Sequence, residues 1–90
     1  MDNQIFIFSL NGCGYCKTLK EKLNDSSIPF TELEINSNRE IWDQVVKQTG
    51  LNILPTIFIK KDGTDDGPVF VPTRDFNSVE EIVEKLKIYV

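Results

Sequence analysis

Two cysteines with two residues between them, Cys13-Gly14-Tyr15-Cys16, are the side chains of this sequence best able to do chemistry, and the chain has no other cysteine. A pair at this spacing can act as a reactive dithiol, supply half of a metal site, or close as a structural staple. A tetrahedral zinc site takes about four Cys or His ligands. With two thiols and no histidine, the chain cannot complete one alone, and only a site shared between chains stays open. A permanent disulfide belongs to an oxidising compartment. The N-terminus, Met1-Asp2-Asn3-Gln4, has no basic region, and Ile5-Phe6-Ile7-Phe8 is too short for a signal-peptide core or a membrane span. The expected setting is therefore a reducing cytoplasm, where a closely spaced pair reads as a redox dithiol.

Exchange chemistry needs a thiolate, because the thiol itself does not attack a disulfide. A helix N-terminus favours negative charge by ~0.3–1 kcal/mol, and by up to ~2 kcal/mol when partly buried. From Tyr15 to Asn24, Cys16, Leu19 and Leu23 recur at helical spacing, with Lys17, Lys20, Glu21 and Lys22 mostly facing water. Cys13 thus falls where this helix begins and is the expected nucleophile. Cys16, on the inward stripe, is the expected resolving thiol, which displaces the reduced product by closing the Cys13–Cys16 disulfide. Gly14 keeps an N–H that a proline would lack, an expected extra donor to the Cys13 sulfur. Tyr15, between the cysteines, should border the thiol groove. Lys17 and Lys20 read as a solvated face that could also tune the thiol, and Lys17 joins the candidate binding set.

The elements that must position this pair follow from the hydrophobic pattern. Ile5-Phe6-Ile7-Phe8 reads as a buried strand. After the cysteine helix, Pro29-Phe30 opens a second strand in which Thr31, Leu33 and Ile35 alternate with Glu32 and Glu34. Ser37-Asn38-Arg39-Glu40 fits a capping box, and Ile41, Trp42, Val45 and Val46 give a helical stripe ending near Gly50, with Trp42 in the core. Leu54-Pro55-Thr56-Ile57-Phe58-Ile59 reads as a third strand, joined by the turn-rich stretch from Lys61 to Gly67 to a short strand Val69-Phe70-Val71. Asp62, Asp65 and Asp66 begin like a calcium loop, but Thr73 stands where its closing glutamate belongs, so a solvated turn is expected. Val79, Ile82, Val83 and Leu86 mark a last helix, with Ser78-x-x-Glu81 as a capping box and Thr73 or Arg74 as an alternative start. The order β-α-β-α-β-β-α predicts an α/β fold. Its first two strands should be parallel with a right-handed crossover, its last two antiparallel, in a four-stranded mixed sheet flanked by three helices.

At 90 residues the chain is expected to form a single domain, residues 1–90. Hydrophobic residues make up 40% and charged residues 27%, the composition of an ordinary globular protein. Net charge is -4 and the longest basic run is Lys60-Lys61. Neither nucleic acid nor a membrane surface is an expected partner, and the chain is expected to be a monomer.

Together, the cysteine pair at a strand-to-helix junction, this element order and the proline opening the third strand resemble the glutaredoxin branch of the thioredoxin fold. Cys13-Gly14-Tyr15-Cys16 matches that family's Cys-Pro-Tyr-Cys except at its second place, and Leu54-Pro55-Thr56-Ile57-Phe58-Ile59 is similar to its Val-Pro-x-(Ile/Val)-Phe-Ile strand. The resemblance implies a dithiol thiol-disulfide oxidoreductase with glutathione as co-substrate and no tightly bound cofactor. It implies that Pro55 is cis and faces the cysteines, and that Tyr15, Lys17, Leu54, Pro55, Arg74 and Asp75 contact substrate or glutathione. Asp75 would receive the γ-glutamyl end, and Arg74 a carboxylate. Val71-Pro72 stand where the family has two glycines, and Pro72 has no N–H to offer. Three roles follow: reduction of protein disulfides, a ribonucleotide reductase among them, or of glutathione mixed disulfides; a thioredoxin-like reductant recharged by thioredoxin reductase; and a carrier of a [2Fe-2S] cluster held between chains by Cys13 and glutathione.

Overall fold

The computed structural model describes residues 3–61 and 67–89. Its elements follow the expected order: β1 (Gln4–Ser9), α1 (Gly14–Asp25), β2 (Thr31–Glu34), α2 (Arg39–Thr49), β3 (Thr56–Lys60), β4 (Val69–Phe70) and α3 (Val79–Leu86), ending in a 3-10 turn, Lys87–Tyr89. The four strands form one mixed sheet in the order β2-β1-β3-β4. β1 runs parallel to β2, with Ile7 opposite Glu32, and antiparallel to β3, with Ile7 opposite Ile57. β3 and β4 pair antiparallel. This is the four-stranded mixed sheet that the pattern predicts, in the arrangement that the resemblance implies.

Alternation along β1 divides the core in two. Ile5 and Ile7 point to one face, where they pack with Leu19 and Leu23 of α1, Ile57 and Ile59 of β3, and Ile82, Val83 and Leu86 of α3. Phe8 points to the other face and meets Trp42 and Val45 of α2, with ring centroids of Phe8 and Trp42 5.2 Å apart. Trp42 is a core residue, as expected. Each such side chain contributes ~1.5–3 kcal/mol on burial, whereas an exposed ion pair such as Lys22–Glu80 contributes ~0–1 kcal/mol. The two apolar layers therefore set the position of α1, and with it the position of the cysteines.

Local signals hold at two helix ends, whereas the start of the third strand and one helix cap differ from expectation. Gly50 closes α2 with φ 72° and donates its N–H to Val46 O at 2.7 Å, the left-handed stop that glycine allows. Ser78 caps α3, its Oγ accepting from Glu81 N–H at 3.1 Å, so the helix begins at Val79 and Thr73 and Arg74 lie in the preceding turn. β3 begins only at Thr56, because Pro55 brings no N–H to the ladder. The box expected at Ser37 does not form. Ser37 N–H donates to Glu34 O and Asn38 N–H to Ile35 O, which winds residues 35–37 into a turn and makes Asn38 the cap. The Asn38 side-chain amide then donates back to Glu34 O at 2.9 Å instead of serving the helix.

β4 holds two residues because Val71 leaves the ladder: its N–H donates to Asp75 Oδ2 at 2.8 Å. On the β3 side, Gly67 passes so close to Ile59 that a Cβ there would overlap the Ile59 carbonyl. The calcium-like aspartates Asp62, Asp65 and Asp66 lie outside the described residues.

Candidate active site

The loop between β1 and α1 delivers Cys13 to the helix start. Cys13 N–H donates to Leu10 O at 3.0 Å, closing a turn in which Gly12 holds φ 90°. A positive φ at that place suits glycine best. Cys13 is the N-cap of α1, and its Sγ accepts from Cys16 N–H at 3.3 Å. That donor corrects the expectation for Gly14. A capping side chain reaches the second or third helical N–H rather than the first, and Gly14 is the first. Space around Gly14 is open, with no heavy atom within 4 Å of where a Cβ would sit.

The two thiols, not joined in a disulfide here, are unlike. Cys13 is half-buried, whereas Cys16 is 1% exposed and packed inward beside Leu19. Burial pushes the Cys16 thiol up to about 12, its hydrogen bond with Cys13 adds to the shift, and the Lys20 charge opposes it.

Behind the pair sits a polar cluster that the alternation of β2 did not reveal. Glu32 accepts from Ser9 Oγ at 2.6 Å and from Lys20 Nζ on the same oxygen. Ser9 is buried. The Lys20 ammonium, and then the Ser9 hydroxyl, hold the Glu32 carboxyl below the usual carboxylate range. Parallel pairing sets Glu32 opposite Ile7 and Glu34 opposite Ser9. Sequence spacing alone gives no such register.

Hollows open along the start of α1. One, of about 300 Å³, is lined by Cys13, Cys16, Lys17, Lys20 and Glu32 together with the Leu10–Gly12 loop. Another, of about 260 Å³, is lined by Tyr15, Leu54, Pro55, Pro72, Phe76 and Val79 among others. Tyr15 is 67% exposed, and the Leu54–Pro55 peptide is cis. The structure thus groups the predicted site residues in two sets, Cys13, Cys16 and Lys17 in the first hollow and Tyr15, Leu54 and Pro55 in the second.

Arg74 and Asp75 join neither lining. Arg74 donates through Nε to Asp75 Oδ2 at 2.8 Å and through Nη2 to Val69 O at 3.0 Å. That pairing draws the guanidinium toward β4. Burial opposes ionisation of Asp75, yet the hydrogen bonds from Arg74 and from Val71 N–H hold its carboxyl below the ordinary range. Pro72, Thr73, Phe76, Asn77 and Ser78 line the second hollow and were not in the predicted set. Thr73 sits at φ 69°, a conformation for which a β-branched residue carries no sequence signal.

Among the described residues no group of three or more His, Cys, Asp or Glu is placed to hold a metal ion. Cys13 would be the thiol offered to a cluster shared between chains, since Cys16 is buried. No helix among the described residues is long and apolar enough to cross a membrane.

Comparison with known proteins agrees with this geometry. Residues 5–63 match the family model described as glutaredoxin. Glutaredoxin 3 of Escherichia coli strain K12 is 32% identical over 63 residues, spanning 67% of this chain and 76% of that one. The N-acetyl-S-hydroxy-L-cysteine reductase of Bacillus subtilis strain 168 is 25% identical over 63 residues, spanning 70% and 68%. Among solved structures, the thioredoxin-like protein BC3987 matches with a TM-score of 0.65 at 18% identity, over 97% of this chain and 100% of that one. That likeness is one of fold.

Proposed function

The chain belongs to the glutaredoxin family, and from that premise we propose that it is a dithiol thiol-disulfide oxidoreductase reducing protein disulfides or glutathione mixed disulfides. The observation that carries the reading is the asymmetry of the pair. A half-exposed Cys13 caps α1 with its sulfur on the Cys16 N–H, while Cys16 waits buried behind it.

The Cys13 thiolate attacks one sulfur of the substrate disulfide, the Cys13–substrate bond forms, and the other half leaves as a thiolate that takes up a proton. Cys16 then loses its proton and attacks Cys13 Sγ. The Cys13–Cys16 disulfide forms as the second half of the substrate leaves and is protonated. The substrate gains two electrons and two protons, and the pair is oxidised. Burial keeps Cys16 protonated until that step, so it does not compete for the first attack. A good leaving group at Cys13 lets the mixed disulfide resolve quickly. Tyr15, Leu54 and Pro55 wall the groove that receives the substrate, and Lys17 lies at the mouth on the cysteine side. The name of the Bacillus relative also places its reaction at the sulfur of a cysteine derivative.

Glutathione is the co-substrate that family membership implies, and we assign the protein to the cytoplasm, where a dithiol is kept reduced. A second reading, recharging by a thioredoxin reductase, is favoured by the internal pairing of Arg74 with Asp75 and by Pro72. Recording NADPH consumption during turnover of a mixed disulfide distinguishes them. Activity with glutathione and glutathione reductase supports the first donor, activity only with thioredoxin reductase supports the second, and inactivity with both contradicts the exchange function. A brown colour with visible absorption after anaerobic purification would instead favour the shared cluster.

A further inference from the structure

A glutathione disulfide presents carboxylates at both ends of its tripeptide, and a site that holds them must offer cations or unpartnered N–H groups. Beside the groove of Tyr15, Leu54, Pro55, Pro72, Phe76 and Val79, the chain uses several of these groups itself. Arg74 is held by Asp75 Oδ2 and Val69 O. Freeing it for a ligand would strip a half-buried carboxylate of a charged partner, leaving Val71 N–H on that oxygen. Thr73 N–H donates to Phe76 O at 2.8 Å and Asp75 N–H to Val71 O at 2.9 Å. Asn77 N–H donates to Glu81 Oε1 at 2.8 Å, and Pro72 has none to give.

The N-terminus of α3 is no better for an anion. Ser78 Oγ already takes the Glu81 N–H, and Glu80 and Glu81 place two carboxylates in the first turn. Glu80 lines the adjoining hollow with Gly14, Tyr15 and Asn77. Both lysines near the cysteines line the hollow on the other side, and Lys20 is paired with Glu32. What remains along the groove is a largely apolar wall, and Glu80 at its rim is paired with Lys22.

We infer that this groove selects disulfides whose flanking groups are uncharged and apolar over disulfides that carry the carboxylates of glutathione. The inference rests on the exchange chemistry proposed above and concerns what that chemistry accepts. Such a disulfide can come from an apolar stretch of polypeptide or from a small neutral molecule. In either case the rate advantage comes from apolar contact with Tyr15, Pro55 and Pro72 and from the cost of leaving the glutathione carboxylates without cationic partners on the groove.

The test uses the full chain with dithiothreitol as reductant, so that no step depends on glutathione. Three substrates are compared: a neutral cysteine peptide disulfide-linked to glutathione, the same peptide linked to β-mercaptoethanol, and hydroxyethyl disulfide alone. With each rate divided by the uncatalysed rate, kcat/KM for the neutral-capped peptide should exceed that for the glutathione-capped one by about two- to fivefold, the scale of one charge at a partly exposed site. Hydroxyethyl disulfide matching the neutral peptide identifies a small-molecule source, and a clear deficit identifies a polypeptide. Equal or faster turnover of the glutathione-capped peptide overturns the inference while leaving the exchange function intact. Inactivity on all three overturns the exchange function itself, and the inference with it. Asn77→Lys, which places a cation on the groove wall, should raise the glutathione-capped rate relative to the neutral-capped one by about two- to fivefold, with the gain lost at high salt. An unchanged ratio would also contradict the inference.

Discussion

The hollow around Cys13 and the groove around Pro55 share the start of α1 but are built differently. The first is polar and made from local geometry, with a turn closed at Gly12, a helix cap at Cys13, and a Lys20–Glu32–Ser9 cluster beneath. The second is apolar, and chain segments far apart in sequence meet there: Tyr15 from α1, Leu54–Pro55 before β3, and the 71–78 turn. The nucleophile thus depends on rules that act over a few residues. The apolar wall depends on how distant pieces pack and on which polar groups the turn satisfies internally. One part of such a site can keep its chemistry while the other changes what it accepts.

Removing the nucleophile should have the largest effect. Cys13→Ser is expected to bring turnover to the uncatalysed background in any reductant-coupled assay, because Cys16 is buried and cannot substitute for it. Residual turnover above background would break the division of roles between the thiols. Next comes the resolving step. Burial, which persists when Cys13 is tied up in a mixed disulfide, raises the Cys16 thiol above its ordinary value, so its thiolate fraction rises about tenfold per pH unit throughout the neutral range. Stopped-flow release of product from a preformed Cys13 mixed disulfide should therefore accelerate nearly tenfold from about pH 7 to about pH 8. A flat profile would mean that deprotonation of Cys16 does not limit the step.

Gly67→Ala probes the β3–β4 edge, away from the cysteine hollow. A Cβ would fall 1.6 Å from Ile59 O, so β4 must shift from β3, at an expected cost of about 1–3 kcal/mol in denaturant unfolding. The Cys13 hollow should be preserved, and alkylation of Cys13 in the folded protein should proceed at the wild-type rate. The smallest effect is expected for Glu32→Gln. The Glu32 carboxyl is partly exposed, so replacing it should cost less than about 1 kcal/mol. Its folded value lies below the ordinary 4.5. Its contribution is therefore complete above that value and lost as pH falls through the lower folded one. The variant should show a shallower loss of stability in acid and no change at neutral pH beyond that small cost.

Legibility follows the same division. The element order, the inward stripe of Cys16, Leu19 and Leu23, the Gly50 stop and the Ser78 cap were readable because each rests on periodicity or on side chains a few residues apart. The Ser37 box failed because a competing turn at residues 35–37 used the same backbone groups. Glu32 read only as a polar residue of an alternating strand, and strand pairing brings it to Ser9 and Lys20. Arg74 and Asp75 read as ligand contacts by resemblance. The turn closes on Asp75, through Val71 N–H and the Arg74 guanidinium, pairings between segments that a motif match does not display. The family match itself ends at residue 63, before this turn begins.

The central claim is that Cys13 attacks and Cys16 resolves, and it is tested most directly by trapping the intermediate. Cys16→Ser protein would be mixed with a disulfide peptide, quenched with acid, digested and mapped by mass spectrometry. The account predicts a single stoichiometric adduct on Cys13 that persists until an external thiol is added. No adduct on Cys13, or product release at the wild-type rate without that thiol, would contradict it.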